Sequence, residues 1–165
     1  MHNLIHYLPL CLGKINPIEL PKSTPFLMRN LLFFIVVQYI LQANATDDVI
    51  ESFFEVSLEI ILTIVFMAMM LHLNHSLHAL SQVLMAILFC ANALSIILIL
   101  LVVWLTLSED IISYYSIGLL FLWYFVIIGK IIKKILQVNT AASLALTFFY
   151  FIFAYAGAFV VGQLF

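Results

Sequence analysis

The chain has 165 residues, of which 66% are hydrophobic and only 8% charged, with a formal net charge of -2. A soluble domain is about half apolar and about a quarter charged, so a water-covered core-and-shell fold is excluded. The expectation is an all-α, integral membrane protein, and a charge this small gives no reason to expect a nucleic-acid partner.

The first 24 residues form a short cytoplasmic or interfacial segment. His2 to Leu12 is apolar but too short to span, and is expected to lie in the interface as a helix. Gly13 to Lys22 reads as an extended connector. The start of the chain lacks a basic region before its apolar stretch, which Pro9, Lys14 and Pro17 interrupt, so no cleavable signal peptide is expected. Cys11 and Cys90 are far apart in sequence and read as two reduced thiols rather than a disulfide framework.

Residues 25–165 form a transmembrane domain of five helices, since crossing the hydrocarbon takes about 20 apolar residues. The spans are predicted at about 25–43, 53–72, 79–107, 111–130 and 140–164. Barrel strands would be shorter and would alternate. Ser23-Thr24-Pro25 offers a hydroxyl cap with a proline in the first turn. Asp47 and Asp48, with Glu51 behind them, resemble a capping box for the second helix, and Asn139-Thr140 can cap the fifth. No proline lies within a span, so no proline kink is expected.

All six basic residues occupy two places: Lys14, Lys22 and Arg29 around the start of the first span, and Lys130, Lys133 and Lys134 between the fourth and fifth. Five spans put both on one side of the membrane, which the positive-inside rule makes cytoplasmic. Asp47, Asp48, Glu51, Glu109 and Asp110 take the other side, with Trp104, Tyr114 and Tyr115 placed as an interfacial belt. A multi-pass membrane protein follows, with a cytoplasmic N-terminus and a C-terminus on the far side.

Ser52, Glu55, Glu59 and Thr63 recur at spacings of three and four, giving one polar stripe on the second helix. Glu55 is near enough to the helix start to reach the headgroups. Glu59 lies about two turns inside the span, where an ionisable group should face the bundle interior or a wet cavity. Two readings stand: a proton or cation site, or a neutral carboxylic acid bonded to a neighbouring helix, with Gln38 and Asn92 as donors at similar depth. His72, His75 and His78 are spaced by three, but no further ligand is nearby in sequence and no metal site or cofactor is expected. Lys130, Lys133 and Lys134 read as a topology determinant with some attraction to anionic lipid. Asn44-Ala45-Thr46 is a chance sequon beside the membrane.

On the fifth helix Ala154, Ala158 and Gly162 form a small-residue ridge for close helix packing in lipid, and Ala141 and Ala145 extend the pattern. Its partner is either another helix of the bundle, a second copy or a different membrane protein. No phosphate loop, HExxH, GxSxG or CxxC occurs, and an enzyme is not expected.

The stretch Leu122-Trp123 through Lys130 to Asn139-Thr140-Ala141-Ala142 resembles the closing part of Yip-domain membrane proteins. There a tryptophan-bearing fourth helix and a short connector lead into a small-residue-rich last helix. The leader LCLGKINPIELPKSTPFL is similar to that of small proteobacterial membrane proteins with the same layout. The second loop of such bacterial proteins tends to be arginine-rich, whereas here it carries histidines. The resemblance implies a five-span bundle and transfers no site residue. Two functions are compatible with these features. One is a scaffold, assembly or accessory subunit acting through helix–helix contacts. The other is a small ion, proton or small-molecule permeation unit using Glu59.

Overall fold

A computed structural model describes residues 7, 9–13, 15–44, 48–108 and 110–163. The structure is all-α, and no strand occurs among the described residues. Five helices are long and apolar enough to cross a membrane: α1 (Thr24–Ala43), α2 (Val49–Leu73), α3 (Leu80–Ser108, entered through a 3-10 turn, Leu77–Ala79), α4 (Ile111–Leu136) and α5 (Thr140–Gly162). By length and composition this is a multi-pass membrane protein.

The helix ends follow from their caps. Asp48 accepts from the amides of Ile50 (2.8 Å) and Glu51 (3.3 Å), which starts α2 about one turn earlier than apolarity alone indicates. Asn139 accepts from the Ala142 amide at 2.7 Å and opens α5. Ser23 stands at the cap of α1, but its side chain makes no cap bond and the Pro25 ring supplies the preorganised first turn. Asp47, Glu109, most of His2 to Leu8 and the sequon beyond Asn44 lie outside the described residues.

Helix α4 does not stop at Lys130. It continues to Leu136, and Gln137 turns it off in the left-handed region at φ 54°. Ile131, Ile132 and Ile135 prolong the buried stripe, while Lys133 and Lys134 sit in the last turn, where the helix dipole favours cations. The three lysines are therefore helical, not a connector.

The helices close a ring. Helix α1 packs on α3, α3 on α4, α4 on α5, the second half of α5 on α2, and α2 on α1. The first half of α3 is enclosed on all sides: Gln82–Asn92 is buried without a break, whereas Ile96, Ile97 and Leu100 are exposed to lipid. Part of that enclosure comes from the N-terminal segment. Tyr7 and Leu10 are fully buried in the core. The Tyr7 ring is 4.8 Å from Phe26 and 5.3 Å from Phe89, and its hydroxyl donates to the Pro21 carbonyl at 3.2 Å.

Polar side chains of the bundle hold this segment by its backbone. The Gln82 amide donates to the carbonyls of Ile18 and Leu20, both at 2.7 Å. Lys134 Nζ donates to the carbonyls of Gly13 (2.9 Å) and Ile15 (3.1 Å). Lys22 Nζ donates to the His78 carbonyl at 3.0 Å. The connector is not extended throughout: Asn16 caps a 3-10 turn, Pro17–Glu19. Gly13, at φ 69°, lies so close to Lys130 that a Cβ would overlap that side chain. Cys11 and Cys90, 79 residues apart, meet across this contact with sulfurs at 3.5 Å, both as free thiols.

Candidate functional site

The polar stripe of α2 faces inward. Ser52, Glu55 and Thr63 are buried, and Glu59 is half-buried against the space at the centre of the ring. Glu59 lies about 15 Å from the first residue of α2 at 1.5 Å per residue, so it sits at mid-membrane depth.

Three cavities converge on Glu59. The largest, 350 Å³, is lined by all five helices and runs from Glu59 to Asn44 at the end of α1. Gln38, Ser95, Tyr124 and Tyr155 are its other polar neighbours near the carboxylate, and Leu98, Val102 and Ile117 make its apolar wall. A second cavity of 180 Å³ starts at Glu59, Thr63, Tyr124, Tyr150 and Tyr155 and runs the other way, to Leu27 and Met28 in the first turn of α1. Apart from those groups its lining is aliphatic or aromatic. A third, of 80 Å³, joins Glu59 to Glu55 past Gln38, Gln42 and Tyr155. The first two approach the carboxylate from opposite ends of the bundle and share Glu59, Tyr124 and Tyr155.

The partners of Glu59 are phenols. Tyr155 lines all three cavities with it, and Tyr124 lines two of them. The hydroxyls of Tyr155 and Tyr124 are 3.3 Å apart, and the Tyr150 hydroxyl is 3.3 Å from Thr63 Oγ1. Tyr155, Tyr124, Tyr150 and Thr63 thus set a row of hydroxyls beside Glu59, ending one turn further along α2.

The backbone of α5 explains how two tyrosines five residues apart both reach this row. On an α-helix five positions are about 140° off register. Residues Ile152–Ala156 form a π-helical turn, which widens the helix at this point and brings Tyr155 round to the side of Tyr150. No spacing rule for a regular helix would pair them. Their ring centroids are 6.2 Å apart at 89°, an edge-to-face arrangement.

Of the two amides expected to serve Glu59, one is near it and one is not. Gln38 lines two of the cavities with Glu59, and its amide donates to Ser95 Oγ at 3.1 Å. Asn92 lines none of these three cavities. It donates to the Asn30 carbonyl at 2.9 Å, because its face of α3 points at α1 rather than into the ring. Glu55 does not reach the headgroups. It is 4% exposed, accepts from the Gln42 amide, and packs on Gly162 so closely that a methyl there would overlap it. Its Oε1 has no hydrogen-bond partner among the described residues.

The small-residue ridge packs within the bundle. Ala154, Ala158 and Gly162 are buried, and this half of α5 lies on α2. Ala141 and Ala145 are exposed and do not continue it; the inward row of the first half of α5 is Ser143, Thr147 and Tyr150. Ser143 Oγ donates to the Gly129 carbonyl at 2.8 Å, where α4 comes close. The end of α5 is tied to the start of α2 by a hydrogen bond from Gln163 to Glu51. His72, His75 and His78 are exposed, and no group of three potential metal ligands occurs among the described residues. Comparison with protein-family models, curated proteins and solved structures finds no match to the chain.

Proposed function

We propose that this chain is a small permeation unit of a bacterial inner membrane, with its lysine-rich end cytoplasmic and Glu59 as the group through which a proton or other small cation passes. The observation that carries this reading is the meeting of two cavities, one from each end of the bundle, at a single carboxylate. An ionisable residue at that depth carries a high solvation cost and is kept mostly where it handles charge. The hydroxyls of Tyr155, Tyr124, Tyr150 and Thr63 offer a proton polar stations where the second cavity is otherwise apolar. Among the described residues no lysine or arginine lines the three cavities, so the carboxylate is not committed to an internal ion pair.

The alternative, a scaffold, assembly or accessory subunit, has less support. Its best recognition feature, the ridge of Ala154, Ala158 and Gly162, is used against α2.

The test is proton flux into liposomes holding an entrapped pH-sensitive dye, driven by a potassium diffusion potential. Wild-type protein should dissipate the gradient, and Glu59→Gln should be silent while inserting to the same extent. Flux from Glu59→Gln equal to wild type, or wild-type liposomes no leakier than empty ones, refutes the reading.

A further inference from the structure

We infer that the 350 Å³ cavity takes a small amphipathic organic cation, an ammonium on an apolar body, with the ammonium at Glu59 and the body directed toward Asn44. This rests on the permeation reading and names its cargo.

Four features select that chemistry. Charge comes first: the cavity holds one acidic side chain and no basic one, so an anion is repelled, and a neutral hydrocarbon would cover Glu59 without pairing it. The second is the aromatic surround. Phe121, Tyr124 and Tyr155 line the same space as the carboxylate, and an alkylammonium is the cation that gains from both ring faces and a carboxylate.

The third is the wall. Leu94, Leu98, Val102, Ile117 and Leu120 make a continuous apolar side to the cavity, and Gln38, Gln42, Asn44 and Ser95 supply its polar groups; an apolar body replaces water against that side favourably. A volume of 350 Å³ with a few convergent polar groups is the usual form of a small-molecule site. The fourth is the entrance. Asn44 stands at the acidic end of the bundle, where Asp48, Glu51 and Asp110 cap or begin helices, and such a rim draws cations toward the opening.

Binding balances as an exchange: the ammonium enters unchanged, and any proton on Glu59 leaves to water.

The probe is benzyltrimethylammonium, which is compact and permanently charged, titrated calorimetrically into the full-length protein in nanodiscs. Its uncharged isostere neopentylbenzene is the control. Wild-type protein should bind the cation at least about tenfold more tightly than the isostere, the loss expected when a desolvated cation–π and carboxylate pairing is removed. Glu59→Gln should erase that preference. Leu98→Trp, which fills the wall and leaves the carboxylate intact, should abolish binding of both; this variant keeps the test open if Glu59→Gln inserts poorly. No binding by wild type, equal binding of cation and isostere, or full affinity in Leu98→Trp overturns the inference. Glu59-dependent proton flux without cation binding overturns the cargo alone, and absence of both removes the permeation reading as well.

Discussion

The docking of the N-terminal segment can be weakened at one side chain. Gln82 is buried at the start of α3 and places both amide hydrogens on backbone carbonyls of the connector, Ile18 and Leu20, at 2.7 Å each. Gln82→Met keeps the length and bulk of the side chain and removes both donors. A hydrogen bond of this kind contributes about 1 kcal/mol net, and a carbonyl left unsatisfied costs at least as much. The two together amount to about 2 kcal/mol, or about 30-fold in the equilibrium between docked and released segment. Cys90 reports that equilibrium, because it is fully buried with Cys11 directly over it. In a Cys11→Ser background, a membrane-permeant maleimide should label Cys90 only when the segment lifts. While reclosure outpaces labelling, the rate follows the released fraction. Gln82→Met should therefore raise the labelling rate about 30-fold. An unchanged rate would show that the segment is held by its apolar contacts alone, and that the two carbonyls find other donors when Gln82 is lost.

Other consequences are separable by simpler means. Gly162→Ala puts a methyl into the Glu55 side chain, whereas nothing lies within 4 Å of a methyl at Gly118. The first should lower the thermal midpoint through overpacking of about 1–3 kcal/mol, and the second should leave it unchanged or slightly raised, since alanine is the better helix former. Cys11 and Cys90 should cross-link rapidly with copper phenanthroline and oxygen near neutral pH. Their sulfurs are 3.5 Å apart, and the hydrogen bond shared with Cys90 holds the Cys11 thiol below the ordinary thiol range, which favours the reactive thiolate. A non-reducing gel after proteolysis between the two positions shows whether the bond has formed. Persistent free thiols there would contradict the docked arrangement. Tyr150→Phe removes the hydroxyl that meets Thr63 and should reduce proton flux without altering binding of benzyltrimethylammonium, whose cavity Tyr150 does not line.

The five helices were legible because continuous apolar runs of spanning length have few alternatives in lipid, and the Asp48 and Asn139 caps mark their starts locally. The end of α4 was not, because Lys130 reads as the membrane boundary while the isoleucines behind it still face the core. The seat of Tyr7 and Leu10 was not legible for a different reason. The N-terminal segment's apolar length fits an interface, and only tertiary contact shows that Tyr7 and Leu10 fill space beside α3. The stripe through Glu55, Glu59 and Thr63 was visible as a periodicity, yet its depth and partners were not. Glu55 is shielded by Gly162, over 100 positions away, and the phenols around Glu59 come from two other helices. Tyr155 carries no regular-helix signal at all, since the π turn that aims it is a property of packing and backbone together.

That π turn connects the two features of α5 that otherwise compete. Close packing on α2 needs Ala154, Ala158 and Gly162 on one face, and the central site needs Tyr150 and Tyr155 on the side toward α4. A regular helix cannot hold both registers, because Tyr155 follows Ala154 directly and would stand about 140° from Tyr150. Widening the helix over Ile152–Ala156 satisfies both. Such turns are rare in helices that only pack, and they recur at functional sites. Here the turn lies beside Glu59, the carboxylate that two cavities share. Were α5 only a packing element, a regular helix with the same small residues would serve as well. The local cost of the π turn is matched by what it brings to Glu59: a hydroxyl for the carboxylate and an aromatic wall for the cavity.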